Sequence, residues 1–326
     1  MIISIVFIIV GFIFLIKGAD FLVDGASNVA KIFHIPEIVI GLTIISIGTS
    51  MPELFISTTS AIEGYSDMAV GNIIGSNIVN LLFILGVSAM LSPIVVQKST
   101  KKFDIPICLI ITIIFMIICN TGKAITRTEG LILIGLFILF IMYTIYTAIK
   151  TKVNTEENLV DGNKSILKNI FLLILGIISL KIGGDITVDH SVNVAKYFNL
   201  SEKVIGVTIL AIGTSLPELV TSVSAAIKGK SDIAIGNILG SNIFNMLLII
   251  GVASIIQPIT YNVNYNKDIL ILINGLLLLP LFTMIYPKNK IGKFNGAIYL
   301  FIYVEYIISL FIKWLLSYIM WKYWYW

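Results

Sequence analysis

Charged residues are scarce in this chain. Of its 326 residues only 12% are Asp, Glu, Lys or Arg, whereas 57% are hydrophobic. Soluble domains carry about 25% charged residues, so this composition excludes a water-soluble domain, and it lacks the polar, charge-rich stretches of a disordered one. Apolar runs of about 20 residues follow one another along the chain, which indicates a polytopic α-helical protein embedded in a lipid bilayer.

Cysteine and histidine are also scarce, with two residues of each. Cys108 and Cys119 lie in one apolar segment, about 16 Å apart in a helix, so no disulfide bond is expected between them. His34 and His190 lie near the ends of apolar runs, and a zinc, copper or iron site is not expected. The net charge of +4 is too small to suggest nucleic acid. No cofactor or obligatory protein partner is evident.

Ten apolar spans are expected, five in each half of the chain. In the first half they cover residues 2–24, 37–62, 68–92, 104–120 and 129–149. In the second half they cover residues 166–188, 203–227, 233–257, 268–286 and 292–313. The polar stretch 151–165 is predicted to link a first half, 1–150, to a second half, 166–326. Four aspartates are predicted to be solvated at the ends of the first and sixth spans, namely Asp20, Asp24, Asp185 and Asp189.

The two halves share an internal repeat. Glu37–Asn80 matches Glu202–Asn245 at a constant offset of 165, with 28 identities in 44 positions. Because five spans are an odd number, the second half is expected to enter the membrane from the opposite side, as in secondary transporters. We therefore expect an all-α polytopic membrane protein with ten transmembrane helices in two inverted five-helix repeats.

Lysine and arginine predict the orientation of these repeats. Loops on the side of the 151–165 linker contain 13 of these residues, and loops on the other side contain eight. Cytoplasmic loops carry the excess of positive charge. We therefore expect a multi-pass protein of the cell membrane with a cytoplasmic linker and both termini extracellular.

Each repeat has the motif G-T-S-x-P-E in the middle of an apolar span. Proline lacks an N–H group and clashes with the carbonyl four residues earlier, so a broken helix is predicted at Pro52 and at Pro217. Broken backbone at membrane depth is tolerated only where it lines a cavity or the protein interior. The carbonyls of Ser46 and Ala211, close to the two breaks, are expected to turn inward there.

A glutamate follows each proline. A carboxylate inside a bilayer is costly, and such a residue indicates a function. Helical spacing places several hydroxyl groups on the same stripe as each glutamate. The stripes comprise Ser46, Thr49, Ser50, Glu53 and Ser57 in the first repeat, and Thr214, Ser215, Glu218 and Ser222 in the second. All these side chains offer oxygen, which favours Na⁺, Ca²⁺ or Mg²⁺ as the ligand.

The next span of each repeat has the motif G-N-x-x-G-S-N-x-x-N. Its two glycines allow another helix to approach closely. Its polar residues at spacing i, i+4, i+8 form a line along the helix. We expect cation contact from the last two members of each line, which are Ser76, Asn80, Ser241 and Asn245. For the first members, Asn72 and Asn237, packing and cation contact are equally open.

The paired motifs resemble the two α-repeats of the Ca²⁺/cation antiporter superfamily, and most closely those of prokaryotic sodium/calcium exchangers. The resemblance implies a non-enzymatic antiporter that exchanges Ca²⁺ for Na⁺ by alternating access, with the ions bound at the midplane between the repeats. It implies that Glu53 and Glu218 are the carboxylates shared by both ions. It further implies ion contacts from Thr49, Thr214, Ser50, Ser215, Ser76, Ser241, Asn80 and Asn245, and from the carbonyls of Ser46 and Ala211.

Three alternatives remain at this stage. A Ca²⁺/H⁺ antiporter is the principal one, because glutamates also carry protons. A passive cation channel is less favoured, because pore residues of channels usually gather around an oligomeric axis. An intramembrane enzyme is disfavoured, because no base accompanies Ser50 or Ser215 at membrane depth. Glu305, a lone acid in an apolar run, has a function, pairs with another group or extends its carboxylate to the interface. Some relatives carry aspartate at the position of Asn245. Here that residue is asparagine, so the predicted site has two carboxylates and no third.

Overall fold

The computed structural model describes residues 2–150, 162–197, 213–285 and 288–324, and they are almost entirely helical. The first half has helices α1 (Ile2–Phe33), α2 (Glu37–Thr49), α3 (Met51–Ile62), α4 (Ser66–Leu91), α5 (Thr100–Cys119) and α6 (Arg127–Lys150). The second half has α7 (Gly162–Tyr197), α8 (Leu216–Ile227), α9 (Ser231–Ile256), α10 (Asn266–Met284) and α11 (Lys293–Trp324). The predicted helical fold class is confirmed. Residues 151–161 of the predicted linker lie outside the described residues.

Several of these helices have the length and composition of membrane spans. Among the described residues, seven helices are long and apolar enough to cross a membrane. The pair α2 and α3, bent by 50° where they join, makes an eighth if it is taken as one span. The chain is therefore a membrane protein by the length and hydropathy of its helices.

Two short antiparallel ribbons join connections from the two halves. Strand β1 (Ile94–Val95) pairs with β4 (Lys290–Ile291), and β2 (Ala124–Ile125) pairs with β3 (Ile259–Thr260). The sequence does not predict these strands, because two residues are too few to show the alternation of a β-strand.

Helices α1 and α7 pack antiparallel to each other through glycine. A Cβ atom on Gly11 would lie 2.9 Å from the carbonyl oxygen of Gly183, and one on Gly18 would lie 3.0 Å from that of Gly176. The residue numbers of the paired glycines rise along α1 as they fall along α7, so the two helices run in opposite directions. Small residues at such a crossing let two backbones touch. The first helices of the two halves are thereby held together.

The helices continue past the four aspartates, three of which are exposed, namely Asp24, Asp185 and Asp189. Helix α1 continues to Phe33. Asp20 and Asp24 lie within it, and Lys228 Nζ is 3.0 Å from the Oδ1 atom of Asp20 and 2.8 Å from that of Asp24. This lysine supplies opposite charge from another helix, so the aspartates are accommodated without a turn. Helix α7 likewise continues past its own aspartates to Tyr197.

Helices α4 and α9 form the centre of the described structure. In the most apolar stretch of each helix, 78% of the residues of α4 and 83% of those of α9 are buried, against 22% in α1 and in α6. Helix α2 packs closely on α9, where a Cβ atom on Gly236 would lie 3.0 Å from the Cα atom of Gly41. The two most buried helices are therefore those that contain the polar motif G-N-x-x-G-S-N-x-x-N.

Candidate cation-binding site

Both G-T-S-x-P-E motifs have the same local backbone conformation. Ser50 lies between α2 and α3 with φ −86° and ψ 11°, and Ser215 precedes α8 with φ −90° and ψ 10°. Pro52 and Pro217 lie in the first turn of the helices that follow, where the missing N–H group costs no helical hydrogen bond. The predicted helix break is confirmed in the first repeat. It lies at Ser50, two residues before Pro52, because Pro52 belongs to the first turn of the new helix α3.

The two glutamates are buried and are bonded by serines of the opposite repeats. Glu53 and Glu218 are each 1% exposed, and they are the fully buried charged side chains in the described part of the chain. Ser50 Oγ donates to Glu218 Oε1 at 2.9 Å, and Ser215 Oγ donates to Glu53 Oε1 at 3.4 Å. The Oε2 atom of each glutamate is buried and has no hydrogen-bond partner among the described residues. A buried, unpaired carboxylate oxygen is costly unless a cation meets it.

Thr49 is held in place by Asn237. The Thr49 hydroxyl is fully buried and donates to Asn237 Oδ1 at 3.1 Å. The Nδ2 atom of Asn237 donates in turn to Ser222 Oγ at 2.9 Å. Asn72 makes the corresponding bond to Ser57 in the first repeat, also at 2.9 Å. Asn237 therefore orients a predicted ligand, and the interpretation as a packing residue fits both asparagines.

The central helices bring the other predicted ligands into the same interior. Ser76, Asn80, Ser241 and Asn245 are all at most 3% exposed. Ser241 Oγ and the Oδ1 atoms of Asn80 and Asn245 have no hydrogen-bond partner in the described ranges. Asn77 and Asn242, which the sequence pattern does not single out, bond to these asparagines across the two helices. They lie beside the i, i+4, i+8 line, and their recurrence in both motifs was the available signal.

Three predicted ligands have different surroundings. The carbonyl oxygen of Ser46 already accepts the backbone N–H of Ser50 at 3.1 Å and lies 3.4 Å from the Thr49 hydroxyl, so it is not a freed carbonyl in this structure. Thr214 Oγ1 is buried and has no bonding partner within the described segments. Ala211 lies outside the described residues. Glu305 is exposed on α11, whereas Glu53 and Glu218 are buried.

The buried polar groups suit a hard cation. Among the described residues there is no group of three or more His, Cys, Asp and Glu side chains that fits a metal ion. The two buried carboxylates carry a formal charge of −2, which one Ca²⁺ or two Na⁺ ions would balance. Ca²⁺ takes 6–8 oxygen ligands from carboxylates, carbonyls and similar groups. Hydroxyl and amide oxygens around the two carboxylates are ligands of this kind.

Comparison with known proteins gives a consistent result. The family profile described as "Sodium/calcium exchanger protein" matches residues 3–146 and 168–312. CaxA of Alkalimonas amylolytica is 35% identical over 320 residues, which cover 95% of this chain and 99% of that protein. The sodium/calcium exchanger MaX1 of Methanosarcina acetivorans is 30% identical, with 88% and 92% of the two chains covered. A structure of the sodium-calcium exchanger NCX_Mj, soaked with Na⁺ and Ca²⁺, aligns with a TM-score of 0.83 at 32% identity, covering 95% of this chain and 99% of that one.

Proposed function

This chain belongs to the sodium/calcium exchanger family, and from that premise we propose that it is a secondary antiporter that exchanges Ca²⁺ for Na⁺ by alternating access. The ions bind at the membrane midplane, between two inverted five-helix repeats that together make ten transmembrane helices. The protein lies in the cell membrane with both termini extracellular and the 151–165 linker cytoplasmic.

The crosswise pairing of serines and glutamates is the observation that carries this proposal. Ser50 bonds to Glu218, and Ser215 bonds to Glu53, so each half of the site needs the other repeat. A movement of one repeat against the other therefore changes the surroundings of both carboxylates at once. Such coupling between the ion site and the packing of the repeats is what alternating access requires.

The inverted arrangement is supported by the packing of the first helices of the two halves. Helices α1 and α7 run antiparallel, with Gly11 against Gly183 and Gly18 against Gly176. Two halves of the same topology whose first helices are antiparallel enter a membrane from opposite sides. Orientation relative to the cell rests on the excess of lysine in the loops on the linker side.

The supply of neutral oxygen atoms favours Na⁺ over H⁺ as the coupling ion. A Ca²⁺/H⁺ antiporter needs only Glu53 and Glu218 to alternate between Ca²⁺ and protons. The unpaired oxygens of Thr214, Ser241 and Asn245 add ligands that a proton does not use. Na⁺, with its single charge, is suited to positions that combine one carboxylate with several such oxygens. The relatives MaX1 and NCX_Mj are both named as sodium/calcium exchangers, which supports Na⁺ and Ca²⁺ as the exchanged ions.

Transport by reconstituted protein tests the proposal. Proteoliposomes loaded with Na⁺ and diluted into Na⁺-free buffer should accumulate ⁴⁵Ca²⁺, and vesicles loaded with K⁺ should not. Uptake that follows a pH gradient and ignores Na⁺ would establish the proton-coupled alternative. Ca²⁺ flux that needs no counter-ion would establish a channel.

Cysteine labelling tests the orientation separately. In a background that lacks Cys108 and Cys119, cysteine in place of Asn158 should be shielded from an impermeant thiol reagent in intact cells. Cysteine in place of Ser317 should be labelled. The reverse pattern would overturn the orientation but would leave the ion site unaffected.

A further inference from the structure

Four asparagines join α4 to α9 at the centre of the molecule. Asn77 Nδ2 donates to the backbone carbonyl of Asn242, and Asn242 Nδ2 donates to the backbone carbonyl of Asn77, both at 3.3 Å. Asn80 Nδ2 donates to Asn242 Oδ1 at 3.2 Å, and Asn245 Nδ2 donates to Asn77 Oδ1 at 2.9 Å. All four side chains are at most 1% exposed.

The two backbone carbonyls determine how all four amide groups are turned. A carbonyl oxygen only accepts, so the atom of Asn77 that meets it must be Nδ2. The Oδ1 atom of Asn77 is then the acceptor that faces Asn245, which must present its own Nδ2. The Oδ1 atom of Asn245 consequently lies on the other side of its amide group. The same sequence of bonds through Asn242 turns the Oδ1 atom of Asn80.

The two Oδ1 atoms that this arrangement turns away are the unpaired ones. In Asn80 and in Asn245 the Oδ1 atom is buried and accepts no hydrogen bond from the described residues. Both residues lie in π-helical turns of the central helices, a feature frequent at functional sites. The turn with Asn80 packs on the helix that carries Glu218, and the turn with Asn245 packs on the helix that carries Glu53. Each free amide oxygen thus belongs to a segment that adjoins a buried carboxylate.

We propose that Asn77 and Asn242 are positioning residues of the cation site, which force Asn245 and Asn80 to present oxygen rather than nitrogen to the ion. The proposal rests on the proposed function, because it assumes that a cation occupies this interior. An amide that rotates by half a turn presents its N–H groups instead, and these carry positive partial charge. The helix contact made by Asn77 and Asn242 is therefore also a device that keeps two neutral ligands correctly oriented.

A double-mutant cycle separates this role from simple helix packing. Asn245→Asp makes both terminal atoms of that side chain oxygen, so its ligand atom no longer depends on Asn77. Calcium affinity of the purified full chain would be measured by calorimetry, with thermal stability measured in parallel. Asn77→Ala should weaken Ca²⁺ binding about tenfold in the wild-type background, the size expected for a bond to a charged partner. In the Asn245→Asp background an oxygen faces the ion and another faces Asn77 Oδ1, so the same change should leave the affinity within about twofold or raise it.

Other variants control for folding and for the second repeat. Asn28→Ala removes a 3.1 Å side-chain hydrogen bond between α1 and α7, which does not involve the four central asparagines. This change should lower thermal stability without changing Ca²⁺ affinity. The mirror cycle, Asn242→Ala with Asn80→Asp, gives an independent test if Asn77→Ala fails to fold. Rescue in either cycle supports the positioning role.

Two results would overturn the positioning role. One is an equal loss of affinity in both backgrounds, which is the outcome for residues that only join helices. The other is no loss from Asn77→Ala in a folded protein. Failure of the proposed function is a different result, in which the wild-type chain binds no Ca²⁺ or Glu53→Gln binds it normally.

Discussion

The candidate cation site is closely similar in the two repeats, but the charged residues of the surrounding helices differ. In the second repeat Lys228, at the end of α8, forms ion pairs with Asp20 and Asp24 of α1. The corresponding position in the first repeat is Glu63, of opposite charge. On α7 the equivalent of Asp20 is Asp185, which forms its ion pair with Lys181 of the same helix. The ion pairs of α1 therefore join it to the other half of the molecule, whereas the ion pair between Lys181 and Asp185 lies within α7.

This contrast separates two requirements of an exchanger. The proposed function requires oxygen ligands from both repeats, because the proposed ion lies between them. An ion pair across one end of α1 stabilises only the arrangement of the two halves in which it forms. Lys230 adds to it with a 2.9 Å bond to Glu37, which also accepts the hydroxyl of Ser27. The buried polar groups are therefore alike in the two repeats, whereas the ion pairs around them differ.

The largest expected effect tests the symmetric part of the comparison. Glu53→Gln and Glu218→Gln should each reduce Ca²⁺ transport by at least about 100-fold, because each removes half the countercharge of a desolvated divalent ion. The measurement is initial ⁴⁵Ca²⁺ uptake into proteoliposomes, with Glu63→Gln, an exposed acid, as the control. A near-normal rate in either buried variant would show that the two acids are not equivalent.

A smaller effect is expected from the crosswise hydroxyls. Ser50→Ala and Ser215→Ala should raise the half-saturating Na⁺ concentration about three- to tenfold, in line with the loss of one hydrogen bond or ligand. The half-saturating Ca²⁺ concentration should rise less, because Ca²⁺ keeps a larger share of its ligands. Ser50→Ala should have the larger effect, since its bond to Glu218 is 2.9 Å and that of Ser215 to Glu53 is 3.4 Å. Equal shifts for both ions would argue against a Na⁺ role of these serines.

The asymmetric part of the comparison is tested at Lys228. Lys228→Gln removes two partly exposed ion pairs, which contribute about 0.2–1 kcal/mol each. The midpoint of thermal unfolding should therefore fall by about 2–4 °C. The matched change Glu63→Gln, at the equivalent position of the other repeat, should leave the midpoint unchanged. A similar fall of the midpoint in both variants would mean that Lys228 and Glu63 contribute equally to stability.

Ionic strength should have the smallest effect. At 1 M salt the Debye length is about 3 Å, so the contribution of partly exposed ion pairs is largely screened. The difference in melting temperature between wild type and Lys228→Gln should then shrink by about half or more. Choline chloride is the suitable salt, because its cation is too large to compete for the Na⁺ positions. A difference that is the same at low and high salt would assign the effect to packing of the lysine side chain.

Much of the candidate site could be predicted from the sequence, because its chemistry is costly in a membrane. Glu53 and Glu218 stand out in apolar runs, and their recurrence at a fixed offset marks them as a pair. Asn77 and Asn242 could not be predicted as partners of Asn245 and Asn80, since helical spacing describes one helix and these bonds join two. The partner of Asp20 could not be predicted for a similar reason, as Lys228 lies on a helix more than 200 residues later.

Run length and the cost of burying charge are local properties of a chain, and they suffice to predict a helical membrane protein and its two buried acids. The identities at a constant offset predict the repeat. The partner of each group is not a local property. Ser50 meets the glutamate 168 residues later, and Ser215 meets the one 162 residues earlier, rather than the glutamate three residues along its own chain. Only the packing of one repeat against the other decides this, because a hydroxyl bonds to the acceptor that the close contact of two helices brings within about 3 Å.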